Sequence, residues 1–339
     1  MKVNREQFLK TLNGASIGLS KKEILEQSNS FVFYEGKIIT FNDEIFCSSD
    51  SPLEFDAVIV ADDLMKILSR LPDEEIDIDL KGEEMIIKGK RRTAGITCAS
   101  TVHLPFEAVP SPDKWTKLVP GFGKMLQQAS RTCGSDETQY KTTCVHVTPD
   151  LIQACDNFRF LRVDMETGLD QEILIPASSI GTLNGITLKR ASIGEGWIHF
   201  KSDAKQLISV RCSHEKYHTG IDELLEVQGE EITLPKNLAE MIGRAEVMNK
   251  SGYDARISIT IEEGKLKILA RKDGGWFREE KRIKYEGDSL VFDVHPQFLA
   301  EVLERTHKVL VGQNKLKLVS EGIQFVVGLE VQGEEEAPF

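Results

Sequence analysis

AVIVADDLMKIL (57–68), EILIPASSIGTL (172–183) and LVFDVHPQFLAEVL (290–303) decide the fold of this chain. In each, a short apolar run of buried-strand type ends at a small or helix-starting residue, and apolar positions then recur at helical spacing. Those positions are Leu64, Ile67 and Leu68 in the first stretch, Ile180 and Leu183 in the second, and Phe298, Val302 and Leu303 in the third. One strand-to-helix transition written three times marks an internal repeat, and a repeat changes how every other residue is read.

Outward from these stretches the repeat doubles. Amphipathic segments are predicted at Val3–Ser16, Ala61–Leu71, Trp115–Thr132, Pro176–Gly185, Pro235–Lys250 and His295–Lys308, a spacing of roughly 55 residues. After each come paired alternating runs: FVFYEGKIITF, IDIDLKGEEMIIKG, CVHVTPDLIQACD, WIHFKSDAKQLISV, ISITIEEGKLKILA and KLKLVSEGIQFVV. Glu35-Gly36, Lys81-Gly82, Glu263-Gly264 and Glu321-Gly322 supply the glycine of a tight hairpin. One such unit cannot bury its apolar face alone, so units pair and share sheets. The 339 residues then divide into three α+β domains of two units each. The proline-rich HLPFEAVPSPDKW (103–115) and the acidic GIDELLEVQGEE (220–231) mark the boundaries, giving domains at 1–113, 114–226 and 227–339. VQGEEEAPF (331–339) reads as an acidic, frayed tail.

Several classes of function lack their residues. No apolar run approaches the length of a membrane span, and MKVNREQF has no signal-peptide core, so a cytoplasmic protein without membrane contact is expected. Six cysteines (47, 98, 133, 144, 155, 212) form no CxxC pair and sit mostly in strand contexts, as reduced buried thiols do. HEKYH (214–218) is the nearest approach to metal-ligand spacing, without a Cys or Asp beside it, so neither metal nor cofactor is expected. There is no phosphate loop, nucleophile elbow or HExxH, and Gly194-Glu195-Gly196 reads as a hairpin turn because a strand follows it. Cys144 and His146 alternate on one strand and so share a face, which keeps a Cys/His hydrolase open as a distant alternative to a non-enzyme.

Charge is distributed unevenly. The net charge is −12, yet the six helix segments carry more basic than acidic residues, which suggests one surface facing an anion and another facing solvent. The competing reading is that amphipathic helices expose charge without a partner, and basic residues near helix C-termini suit the dipole in any case. The fourth segment, PASSIGTLNG, has no charge at all.

The chain resembles the bacterial replicative sliding clamp, the beta subunit of the DNA polymerase III holoenzyme. MKVNREQFLKTL resembles the opening strand and helix of that family, and ADDLMKILSRLPDEEIDI its second helix and following turn. LIQACDNFRFLRVD resembles its central A-T-D-G-x-R-L stretch, LPKNLAEMIGRAEVMNKS the first helix of its third domain, and FVVGLEV its closing apolar strand. The resemblance runs from Met1 to about Val331 and rests on collinearity rather than on any one motif. It implies three domains of two β-α-β-β-β units, sheets outside and helices inside, closed head to tail into a homodimeric ring around duplex DNA. Geometry agrees: at about 10 Å per helix, six helices leave a bore of only about 9 Å, whereas twelve leave about 28 Å. Duplex DNA is roughly 20 Å across.

By this resemblance Lys10, Lys66, Arg70, Lys124, Arg131, Lys236, Arg244 and Arg305 face the DNA. Contacts would be sequence-independent and weak enough to permit sliding. Ring closure would use Ile96 and Cys98 on a first-domain edge strand and Val247 and Met248 after the fifth helix, unless these are core residues. The family receives peptides of the DNA polymerase and the clamp loader in a pocket that would here involve Cys155, Asn157, Phe160, Val326 and Gly328. This chain departs from the family there: Cys155-Asp156-Asn157 replaces Thr-Asp-Gly, Phe160 replaces Leu, Gly328-Leu329-Glu330 replaces Met-Pro-Met, and KYHTGIDELL (216–225) lacks the family wording. A different peptide preference follows, as for a phage or mobile-element replisome. A protein scaffold of the same fold that no longer encircles DNA is the alternative, favoured by the uncharged fourth helix.

Overall fold

A computed structural model of the chain describes residues 1–136, 142–217, 222–250 and 252–330. The expected tail at 331–339 and His218 of HEKYH lie outside the described residues.

The chain begins β1 (Lys2–Asn4), α1 (Arg5–Ala15), β2 (Ser30–Tyr34), β3 (Lys37–Phe41), β4 (Ile45–Asp50) and β5 (Ala57–Val60). It continues α2 (Ala61–Arg70), β6 (Glu75–Lys81), β7 (Glu84–Lys88), β8 (Thr93–Thr97), β9 (Thr116–Lys117) and α3 (Phe122–Ser130). Next come β10 (Cys144–Val147), β11 (Leu151–Cys155), β12 (Arg159–Asp164), β13 (Ile173–Pro176), α4 (Ala177–Thr182), β14 (Leu188–Gly194), β15 (Trp197–Ser202) and β16 (Leu207–Arg211). The last stretch holds α5 (Asp222–Leu225), β17 (Gly229–Thr233), α6 (Leu238–Glu246), β18 (Ile257–Glu262), β19 (Lys265–Lys272), β20 (Gly275–Arg282) and β21 (Leu290–Val294). It closes with α7 (Pro296–Leu303), β22 (Lys308–Gly312), β23 (Lys315–Leu318) and β24 (Ile323–Gly328).

All six anticipated helices form, each within its segment. The side chain of Asn4 caps α1 by accepting from the Gln7 N–H at 3.0 Å, and Phe8, Leu12 and Ala15 make its buried stripe. Asp62 and Asp63 sit in the first turn of α2 and Arg70 in its last, each at the end of the helix dipole that favours it. The third helix starts at Phe122 rather than Trp115. Thr116 and Lys117 pair instead with Ala191 and Arg190 of β14, and Pro120 with Gly121, the latter at φ +89°, separates strand from helix. Glu35-Gly36, Glu195-Gly196 and Glu263-Gly264 all have positive φ at both residues, the geometry of a type I′ hairpin turn.

Two compact units hold these elements. The first comprises Met1–Ser130, His146–Pro149 and Glu166–Glu215; the second comprises Arg131–Val145, Asp150–Met165 and the chain from Lys216 onward. In the first, β1-β6-β7-β8 form one sheet and β5-β2-β3-β4-β16-β15-β14-β9 another. Phe8, Leu12, Phe31, Phe33, Leu64, Leu68, Ile76 and Met85 fill the core between α1, α2 and these strands. Truncating Leu12, fully buried, would cost about 3 kcal/mol. In the second unit, β11-β12-β24-β23-β22-β17 run side by side, and β20-β19-β18-β21 form a separate four-stranded sheet.

One arrangement recurs in both units. β4 of one hairpin set joins β16 of another edge to edge, and β12 joins β24 in the same antiparallel way. The two four-stranded sheets have no such partner, so among the described residues β8 and β20 each end a sheet with an unpaired edge.

Candidate DNA-facing and partner-binding surfaces

The cations anticipated to face DNA divide by their partners. Lys10 on α1, Lys124 on α3 and Arg131 just past α3 are exposed, on the sides of their helices opposite Phe8, Leu12, Phe122 and Leu126. Arg70 at the end of α2 is exposed, and so is Lys66, which pairs with Asp62 one turn earlier. Lys236 is exposed in the turn before α6 rather than on the helix. Arg244 on α6 is held by Glu279 of β20 through two hydrogen bonds, Nε to Oε2 at 2.8 Å and Nη2 to Oε1 at 2.7 Å. That pairing holds the Glu279 carboxyl below its usual range.

Arg305 departs furthest from the expectation of a free charge. It follows α7, half-buried, with its guanidinium 5.2 Å from the centre of the Phe325 ring and Nη1 without a hydrogen-bond partner among the described residues. Burial pushes its pKa down, against the raising effect of Glu301 and Glu304, and Arg131 adds to the lowering. Arg131 and Arg305 thus lie in one electrostatic neighbourhood, whereas α4 contributes no charge.

The anticipated peptide site comes together by register. Cys155 lies opposite Phe160 across β11 and β12, and Phe160 lies opposite Val326 across β12 and β24, so the three side chains form one row on one face. All three are buried. Asn157 is exposed at the hairpin tip, and Gly328 donates its N–H to the Phe158 carbonyl at 2.7 Å. A cover lies over the row: the Tyr217 hydroxyl donates to Cys155 Sγ at 3.5 Å, and α5 packs against β24 with Leu225 buried. Arg162 fixes this cover by bonding Asp222 at 2.6 Å, and Lys317 Nζ donates to the Leu225 carbonyl at 2.7 Å.

On the opposite side of β12, Arg159 makes a buried network that sequence reading missed. Its Nε and Nη2 reach Asp156 Oδ2 at 3.0 and 2.8 Å, Nη1 reaches both Glu301 oxygens at 2.9 and 2.8 Å, and its guanidinium stacks 4.2 Å from the Phe298 ring centre. Beside it is a cavity of about 560 Å³, also lined by Arg131, Glu246, Asn249, Lys250 and His295. A polar side chain opening a strand inside ACDNFRF was the available signal.

Of the anticipated dimer residues, Ile96 and Cys98 are core. Both are 6% exposed and pack among Phe31, Met85 and Ile87, Ile96 lying opposite Met85. Their side chains therefore present no apolar patch, and β8 ends its sheet with a backbone edge. Val247 is 66% exposed at the end of α6, Met248 is half-buried beside it, and Trp276 on β20 adds a 60% exposed ring that the sequence reading left out. The suggested Cys/His pair lacks nucleophilic character: burial pushes the Cys144 thiol up to about 11, and Glu172 holds His146 Nε2 at 2.8 Å. Among the described residues no group of His, Cys, Asp and Glu could hold a metal ion, and no helix is long and apolar enough to cross a membrane.

No family model matches the sequence, and no curated protein matches it. Solved structures do. The DNA polymerase sliding clamp of Bacillus subtilis superposes with a TM-score of 0.84 at 14% identity, covering 98% of this chain and 99% of that one. The DNA polymerase III subunit beta of Pseudomonas aeruginosa gives 0.83 at 16% identity, and that of Thermotoga maritima 0.82 at 18%, each with the same coverage. The helices, hairpins and shared sheets of this chain are therefore those of the bacterial sliding-clamp fold, carried by a strongly divergent sequence.

Proposed function

We propose that the chain is a DNA sliding clamp: a homodimeric ring that encircles duplex DNA and tethers a replicative polymerase, without enzymatic activity of its own. The observation that carries this is the pair of four-stranded sheets that make no edge-to-edge junction within the chain. Within the chain, four-stranded sets join edge to edge at β4–β16 and β12–β24. Of the eight strands that end the four sheets, β8 and β20 end the two four-stranded sheets that make no such junction within the chain, one in each unit, so a second copy can supply β20 to β8 and β8 to β20 and close the assembly with two equivalent junctions. Exposed Val247 and Trp276 beside β20 would be buried by that closure. The structural relatives are DNA polymerase clamps by name, which favours the same role here.

In this reading the domains are 1–113, 114–226 and 227–339, and Lys10, Arg70, Lys124 and Arg131 line the bore with exposed charge. Such charge suits sliding, because weak phosphate contacts do not fix register. Partners are duplex DNA, a polymerase and a loader that opens the ring, in the cytoplasm of a bacterium or of a phage-infected cell. Partner peptides enter at the Cys155–Phe160–Val326 row, and to do so they displace Tyr217 and α5.

The test is topological. Protein loaded on nicked circular DNA should co-sediment with it in moderate salt and be released when the circle is cut. Retention on the linear product would overturn encirclement and leave the scaffold reading.

A further inference from the structure

Three cations stand side by side on one sheet face of the first unit with no acid between them. Lys117 of β9 lies opposite Arg190 of β14, and Arg190 lies opposite Lys201 of β15. Directly opposed residues of antiparallel strands have Cα atoms about 5 Å apart, so the row is about 10 Å long. Opposed residues share a face, and this one is turned away from α3, because Phe200, the residue before Lys201, packs with its ring centre 6.5 Å from that of Phe122 on α3. Lys117, Arg190 and Lys201 are all exposed, and none makes an ion pair among the described residues. The ion pair closest along the chain joins Lys114 to Asp170 at 3.0 Å. Lys189, the extra residue at the bulge beside Arg190, is exposed as well.

This arrangement works against the sheet. Like charges directly opposite across strands repel, and a chain of net charge −12 has carboxylates in excess that could have stood among them. The neighbouring row on the same face, Ser192, His199 and Ser209, offers none. One end of the cationic row is held in place, since Lys201 Nζ lies 4.3 Å from the ring centre of the half-buried Trp115.

The shape of the row selects its anion. A polynucleotide carries a charge on every unit and can meet adjacent cations together. An extended acidic peptide turns successive side chains to opposite sides, so only alternate carboxylates could reach the row. An unpaired strand also has base faces free to meet the exposed part of the Trp115 ring, which a duplex lacks.

We propose that this face binds single-stranded nucleic acid through its phosphates, without regard to sequence. Arg190, at the centre, presents a fork of N–H donors to one phosphate, and Lys117 and Lys201 flank it as point charges. Because α3 packs on the other side of this sheet, the row is separate from Lys124, which is proposed to meet duplex DNA. Binding here requires no ring.

The full chain would be titrated into a labelled oligothymidylate too short for a ring to retain, and fluorescence anisotropy followed from low to moderate salt. Three phosphate contacts on a single strand should give log affinity against log salt a slope of about −2. Lys117→Gln with Lys201→Gln should weaken binding at least tenfold at low salt and reduce the magnitude of the slope by about 1.4. Lys21→Gln with Lys22→Gln removes the same charge from exposed positions outside the row and should change affinity less than twofold. All four side chains are exposed, so both variants should keep the wild-type thermal transition. A salt slope near zero for the unaltered chain, equal losses in the two variants, or equally strong competition by polyglutamate or by duplex of the same length would overturn the proposal. The oligonucleotide assay involves no loading, so its outcome and that of the circular-DNA test are independent.

Discussion

Arg159 and Glu301, 142 positions apart in sequence, are joined by two hydrogen bonds of 2.9 and 2.8 Å from one guanidinium nitrogen. The pair does not fully compensate the carboxylate. Burial raises the Glu301 pKa above the ordinary 4.5 by more than Arg159 lowers it. The folded state therefore holds this proton more tightly than the unfolded chain, and the contribution of Glu301 to stability is greatest below about pH 4.5 and is lost as pH rises through the raised value. Arg159→Leu removes the largest compensation, leaving Glu301 only the weaker attraction of Arg305 and Asp156 only its backbone donors, and should cost about 3–5 kcal/mol near neutrality. Urea unfolding at pH 5 and pH 7.5 should show a larger deficit at the higher pH, and Glu301→Gln added to Arg159→Leu should recover part of it. Equal deficits at both pH values, without recovery, would contradict the account.

His199 offers the opposite sign. It lies opposite Ser209 across β15 and β16, with Nδ1 2.7 Å from the Ser209 hydroxyl and Nε2 buried without a partner among the described residues. Burial lowers its pKa from 6.5 to about 4. The unfolded chain takes up the proton first, so stability is complete above pH 6.5 and falls as pH drops toward 4, by at most about 1.4 kcal/mol per pH unit. His199→Gln should flatten the stability profile of the first unit over that window, and the difference between the two urea-derived curves isolates the group. Parallel curves would refute the assignment.

Much of this fold was legible in the chain because apolar spacing is a local signal. Leu64 with Leu68, Phe122 with Leu126 and Phe298 with Val302 mark their helices within a single window. The register that places Cys155 opposite Phe160 is set locally by Asp156, whose Oδ1 accepts the Phe158 and Arg159 N–H groups, whereas Val326 joins the row through the distant β12–β24 pairing. What sequence could not supply were partners distant along the chain. Tyr217 reaches Cys155 from 62 positions away, and α5 sits in an acidic stretch that reads as a domain boundary. Ile96 and Cys98 carried an apolar signal that fits core and interface equally, and the core claimed them because Met85 and Ile87 of the neighbouring strand face the same side. Lys66 and Arg244 read as free cations, yet each sits within reach of an acid, one four residues back and one on another element.

The proposed ring makes a clear demand on mass. The chain is 38.0 kDa, so the wild type should sediment as a species of twice that mass at micromolar concentration. Val247→Glu with Trp276→Ser places a charge in the proposed junction and removes its exposed ring, at two surface positions where the monomer fold loses little. The variant should shift to monomer by at least tenfold in dissociation constant while keeping its thermal transition. Gly95→Pro on β8 attacks the same junction from the other side, because proline cannot donate from a strand edge. If both variants remain dimeric, the β8–β20 junction is wrong.

Exposed cations that line a bore should act through salt rather than through sequence. Lys10, Lys124 and Arg131 have no carboxylate partner among the described residues, whereas Arg244 is already committed to Glu279. Each phosphate contact contributes about 0.9 to the slope of log affinity against log salt. Lys124→Gln and Arg131→Gln should therefore each reduce that slope by up to about one for loaded circular DNA, uniformly across DNA sequences. Arg244→Gln should change it little, since its charge is largely neutralised by Glu279 before DNA arrives. Salt titration of the loaded complex separates the two groups. A larger slope change for Arg244 than for Lys124 would mean that the helix faces carrying these residues are not the ones that meet DNA.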